Sequence, residues 1–149
     1  MRTPRSRLSA QDVALLEALV PVGILVQRDE SMKLVPVLGD GVVAAHVGTA
    51  AESLTAEHGL VFWFDPATNS LPINRMATFN LHAVSAFSLR TVPLLRGAVL
   101  ITGMRAGHPE GLTSQQIKAL RNEPEPAWLA GWLMGLRIKG DKRRRRRTR

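Results

Sequence analysis

Apolar and polar positions alternate along this chain in short blocks, and each block has its own period. Val13, Leu16, Leu19 and Val20 recur near helical spacing after Ser9, which has Asp12 three residues on, so a short helix is expected to end at Pro21. Val22 to Arg28 and Met32 to Leu38 are apolar runs joined by Asp29-Glu30-Ser31, which reads as a β-hairpin. Pro36 lacks a backbone donor and places the second strand at an edge or beside a bulge. Gly39-Asp40-Gly41 is a break. Between Gly41 and Glu57 the signals disagree, because Ala50-Ala51-Glu52-Ser53-Leu54 leans helical by propensity alone.

The second half of the pattern is clearer. Leu60 to Phe64 predicts a strand, and Asp65-Pro66-Ala67-Thr68-Asn69 a turn. After Pro72, Asn74 is placed to cap a short helix running to about His82. Leu94 to Thr102 predicts the next strand, Gly107 to Glu110 a loop, and Thr113 the cap of a helix to about Arg121. Asn122-Glu123-Pro124-Glu125-Pro126 is a stiff acidic linker before a last apolar helix, Ala127 to Ile138. The fold expected is α+β, a small, mostly antiparallel sheet with two to three covering helices, a C-terminal helix and a disordered basic tail. Its divisions are an arm and short helix (1–21), an α+β domain (22–121), a linker with the apolar helix (122–138) and the tail (139–149).

Composition narrows what such a domain does. At 149 residues and 45% hydrophobic, the chain is sized for one domain with a real core. Cysteine is absent, which excludes disulfides, thiol nucleophiles and thiolate zinc sites and fits a reducing cytoplasm. No signal-peptide pattern is visible, and the longest apolar runs fall short of the ~20 residues of a membrane span, so a soluble, cytoplasmic protein is expected.

The net charge of +8 is unevenly spread. Lys139, Lys142, Arg143, Arg144, Arg145, Arg146, Arg147 and Arg149 stand against Asp141 alone, giving the tail +7. Arg2, Arg5 and Arg7 give the N-terminal arm +3, and residues 8–138 carry −2. The body is nearly neutral and the positive field lies at the ends. A concentrated arginine run calls for a polyanionic partner, most commonly nucleic acid held through phosphates without sequence preference.

The segment Leu71-Pro72-Ile73-Asn74-Arg75-Met76-Ala77-Thr78 resembles a Leu-Pro-x-Asn-Arg-x-Ala-Thr motif of the bacterial and phage domain-of-unknown-function family 3846. Gly39-Asp40, Val47-Gly48 and Val61 to Phe64 precede it in family order, and Gly97 to Gly103 and Leu112-Thr113-Ser114-Gln115-Gln116 follow. The similarity spans roughly Val22 to Leu120. It implies a short helix over Asp40 to Val47, and a strand over Ala50 to Thr55 that hairpins through Glu57-His58-Gly59. The chain departs from the family at Thr49, at Pro66-Ala67-Thr68-Asn69, and in an insertion at about Ala83 to Pro93. The family carries no assigned activity. Its members are typical of actinobacterial phages, plasmids and their hosts, so the resemblance implies an accessory protein of a mobile element.

Candidate sites are few. Asn74, Arg75 and Thr78 form a polar group at a helix start, where free backbone donors favour an anion or an acidic partner. A plainer reading has Asn74 as a cap and Arg75 paired with a carboxylate. Trp128 and Trp132 lie one turn apart in the last helix and offer a core contact, a partner or self-association face, or, with the basic tail, a membrane-surface anchor. His46, His58, His82 and His108 lack metal-ligand spacing, and no nucleophile elbow, Walker loop or dinucleotide fingerprint is present. The sequence therefore reads as a non-enzymatic domain with no metal, cofactor or identifiable small-molecule substrate. It is expected to contact nucleic acid through the tail, with docking of a protein partner by the apolar helix as the alternative.

Overall fold

The computed structural model describes residues 9–11, 20–67, 70–120 and 127–147, with side chains of the last helix described for 134–146. The expected N-terminal helix lies mostly outside these residues, Ala10 and Gln11 being its helical remnant. Strands β1 (Val22–Val26) and β2 (Met32–Pro36) form the hairpin that the paired apolar runs predict, in the register Ile24 to Leu34. Its turn is closed by Gln27 N–H donating to the Ser31 carbonyl at 2.8 Å and by Ser31 N–H donating to Asp29 Oδ1 at 3.0 Å. β2 is an edge strand, where the missing Pro36 donor is tolerated.

Helix α1 (Gly41–His46) follows, then β3 (Glu52–Thr55), a 3₁₀ turn at Glu57–Gly59, and β4 (Val61–Phe64). The second half of the segment that leans helical thus becomes a strand, Ala50 and Ala51 preceding it. Its register, with Leu54 opposite Phe62, places Leu54 on the core while Glu52, Ser53 and Thr55 stay exposed on an edge strand. Helix α2 (Arg75–Ala83) leads to β5 (Val99–Arg105), β6 (His108–Glu110), α3 (Ser114–Leu120) and α4 (Ala127–Arg147).

All strand pairs are antiparallel, in the order β2-β1-β5-β4-β3 with β6 against β5. The α+β architecture expected from the pattern is the one observed. One face of the sheet presents Ile24, Val26, Phe62, Val99 and Ile101 to Ala77, Leu81 and Val84 of α2, Leu120 of α3 and Met134 of α4. The other face is thinner. Leu25, Val35, Val37 and Leu100 are covered by Val42 of α1, and Trp63 Nε1 donates to Thr102 Oγ1 at 2.9 Å.

Three details differ from the pattern-based expectation. β5 begins at Val99 and not Leu94, because Leu95 is held by the start of α2 and Gly97 turns the chain at φ 68°. The expected loop at Gly107 is a tight hairpin: Ala106 and Gly107 both have positive φ, the twist a two-residue turn requires, and His108 pairs with Arg105. The last helix does not stop at Ile138. It continues to Arg147, so the basic segment expected to be disordered is helical over most of its length. Arginine and lysine are good helix formers, and cations at a helix C-terminus meet the negative end of its dipole.

Candidate functional site

The two polar clusters singled out by sequence meet different fates. Asn74 is 1% exposed and its side chain is fully used. Oδ1 accepts from Ala77 N–H at 3.1 Å, which is the expected cap. Nδ2 donates to the carbonyls of Gly97 at 2.8 Å and of Val26 and Gln27 at 3.2 Å each. Thr78 Oγ1 donates to the Asn74 carbonyl at 2.9 Å and accepts from Leu95 N–H at 3.1 Å. Together they tie the first turn of α2 to the end of β1 and to the approach to β5.

Arg75 is exposed and makes no ion pair with a described residue. What meets a carboxylate is its backbone: Arg75 N–H donates to Glu30 Oε1 at 2.7 Å. The anion-binding position at the start of α2 is thus filled by the protein's own glutamate, presented by the β1–β2 turn from a left-handed backbone (φ 69°). Asn74, Arg75 and Thr78 share the start of α2, but only Arg75 presents its side chain to solvent.

The basic helix is built differently. Met134 is fully buried in the main core and Ile138 packs against it. At about 100° per residue the same face continues through Asp141 and Arg145. Arg96 Nη2 donates to Asp141 Oδ1 at 2.5 Å, and Arg145 Nε lies 3.4 Å from Asp141 Oδ2. Both arginines also reach one acceptor, the Leu71 carbonyl, through Arg96 Nη1 at 3.0 Å and Arg145 Nη2 at 3.1 Å. The Arg96 hydrogen bond, helped by the positive charge of Arg96, Arg145 and Arg144, holds the Asp141 carboxyl below its ordinary pKa. One turn earlier, Arg137 Nη1 donates to the Leu89 carbonyl at 2.9 Å, and burial pushes its own pKa down.

With those groups facing the body, Lys139, Lys142, Arg143, Arg144 and Arg146 are exposed. Lys139, Arg143 and Arg146 lie on the side away from Met134 and Ile138, next to Leu136, which is 49% exposed. Arg149 and the side chains of Arg147, Trp128 and Trp132 lie outside the described residues. Neither Arg96 nor the Leu71 carbonyl was nominated by the sequence. The one available signal was Asp141, the single acid within the basic run.

Among the described residues no group of three or more histidines and carboxylates is placed to hold a metal. His108 Nδ1 meets the exposed Asp40 carboxylate at 2.8 Å, and His82 Nδ1 lies 2.9 Å from the Phe87 carbonyl. A shallow depression of about 410 Å³ is lined by Leu25, Gln27, Arg28, Asp29, His46 and Ala98. Its Asp29 carboxylate is engaged by Ser31, whose hydrogen bonds hold its pKa low. Desolvation, and then the nearby Lys33, lower the pKa of His46. No described helix is long and apolar enough to cross a membrane. No protein-family model matches the chain, and neither a curated protein nor a solved structure matches it.

Proposed function

We propose that this protein is a non-enzymatic accessory domain, of the kind carried by phages and mobile elements, that contacts nucleic acid through the basic half of α4 without reading its sequence. The observation that carries the reading is the exposed set Lys139, Lys142, Arg143, Arg144 and Arg146 on a helix seated on a nearly neutral body. Such a set attracts phosphate and releases counterions, and it holds no base-reading geometry of its own. The test replaces Lys139, Lys142, Arg143 and Arg146 together by glutamine and leaves Asp141, Arg96 and Arg145 intact. On duplex DNA, removing four charges should lower the log–log salt slope by roughly 3–4, with native and scrambled sequences affected alike. Unchanged binding by that variant would exclude the basic helix as the contact.

A second reading, the docking of a protein partner, is favoured by Leu136, half-exposed on the outward face beside Lys139. It expects Leu136→Glu to abolish complex formation, whereas on the nucleic-acid reading that change weakens binding only by the charge it adds.

A further inference from the structure

Resting on the nucleic-acid reading, we infer that Asp141 is a positioning residue that converts the arginine run from a flexible tether into a fixed stripe, and that the partner this stripe fits is a duplex. Beyond Ile138 the described side chains that tie α4 to the body are polar: Asp141 to Arg96, with Arg145 and Arg96 converging on the Leu71 carbonyl. Within the run itself Lys139 faces Arg143, and Lys142 faces Arg146, at the i,i+4 spacing where like charges repel. The clamp offsets that repulsion by pinning one face of the helix, so the cations cannot relax by fraying.

From Lys139 to Arg146 the stripe is about 10 Å long at ~1.5 Å per residue. A duplex presents one phosphate charge per ~1.7 Å of axis in a rigid array, which a row of cations on a fixed helix matches without a backbone-ordering cost on either side. Single strands are instead held by aromatic side chains interleaved with the cations, and the basic run itself, residues 139–147, has none.

The sign of one substitution tests this. Asp141→Asn adds a positive charge to the tail, and if the run were a flexible polycation that change would tighten duplex binding by up to about tenfold at 0.1 M salt. A positioning role predicts the reverse. Duplex affinity should fall at least threefold, single-strand affinity of equal length should hold or rise, and trypsin should cut faster after Lys142 to Arg146. Arg96→Lys keeps the net charge and loses the planar fork, so it should weaken duplex binding in the same direction. Both are measured on the full chain by anisotropy with a labelled 20-base-pair duplex and its single strand, beside thermal melts that confirm folding. Wild-type preference for duplex that both variants lose bears the inference out. Equal or tighter duplex binding by Asp141→Asn, or no wild-type preference for duplex, overturns it and leaves the nucleic-acid reading standing. Absence of wild-type binding to either probe at low salt overturns the nucleic-acid reading itself, and this inference with it.

Discussion

Replacing Asn74 separates a helix cap from a tertiary knot. As a cap alone, Asn74→Ala costs about 1 kcal/mol, and Asn74→Asp is neutral or better because a carboxylate still accepts from Ala77 N–H and its charge suits the helix start. The hydrogen-bond geometry predicts otherwise. Nδ2 serves three carbonyls, those of Gly97, Val26 and Gln27. Leaving two buried carbonyls short of a donor costs about 1–2 kcal/mol each, which with the cap brings Asn74→Ala to about 3–5 kcal/mol. That is a large share of the 5–15 kcal/mol typical of a folded domain, and in a chain of this size it lowers Tm by about 10 °C. Asn74→Asp turns a carboxylate oxygen toward those carbonyls, so its cost should equal or exceed that of alanine. Urea and thermal melts of both variants at neutral pH decide the matter. An aspartate variant melting within about 2 °C of wild type would show that the three carbonyl contacts contribute nothing and that the cap is the whole role.

Two further outcomes follow from the geometry. Ala106 holds a left-handed conformation (φ 51°) beside Gly107, so Ala106→Asn, which supplies the Asn-Gly pair this turn favours, should raise Tm by about 2–4 °C in differential scanning calorimetry. Asp141 has a folded-state pKa below its unfolded one, so its stabilisation of α4 is complete above the ordinary carboxylate pKa of about 3.9 and disappears as pH falls through the lower folded value. Helical circular dichroism followed downward from pH 5 should therefore show a loss that Asp141→Asn lacks, and identical profiles would remove Asp141 from the anchoring of the helix.

What was legible in the sequence is what local chemistry decides. The β1–β2 hairpin follows from two apolar runs and an Asp-Glu-Ser turn. The start of α3 follows from Thr113 and Gln116, which cap each other, Thr113 Oγ1 accepting from Gln116 N–H at 3.2 Å and Gln116 Oε1 from Thr113 N–H at 2.9 Å. The cap at Asn74 was equally visible, but its three carbonyl partners were not, since they come from segments 23 to 48 residues away. Propensity alone obscured strand β3, which the family resemblance implied over Ala50 to Thr55 and which runs from Glu52 to Thr55 with Leu54 paired to Phe62. Composition alone made the basic run look like an unstructured tail. The contact that seats this helix on the body, Arg96 to Asp141, joins residues 45 positions apart and has no local signature.

Self-neutralisation does not account for the charge on that helix. Residues 139–149 carry +7 while residues 8–138 carry −2, so the body's net negative charge is too small to match it. Four of the body's carboxylates are engaged elsewhere: Glu30 by Arg75 N–H, Asp29 by Ser31, Asp40 by His108, and Asp65 Oδ1 by Ala67 N–H at 2.9 Å. Among the described residues the carboxylate ion-paired within the run is Asp141, and it faces Arg96 and Arg145 on the inner side. Lys139, Lys142, Arg143 and Arg146 make no ion pair with a described residue, and the i,i+4 pairs Lys139–Arg143 and Lys142–Arg146 are one helical turn apart, about 6 Å along the axis and inside the ~8 Å Debye length of physiological salt. Holding these like charges together works against stability. A polyanion relieves that repulsion directly, and the inward-facing clamp leaves the outward cations free to meet it.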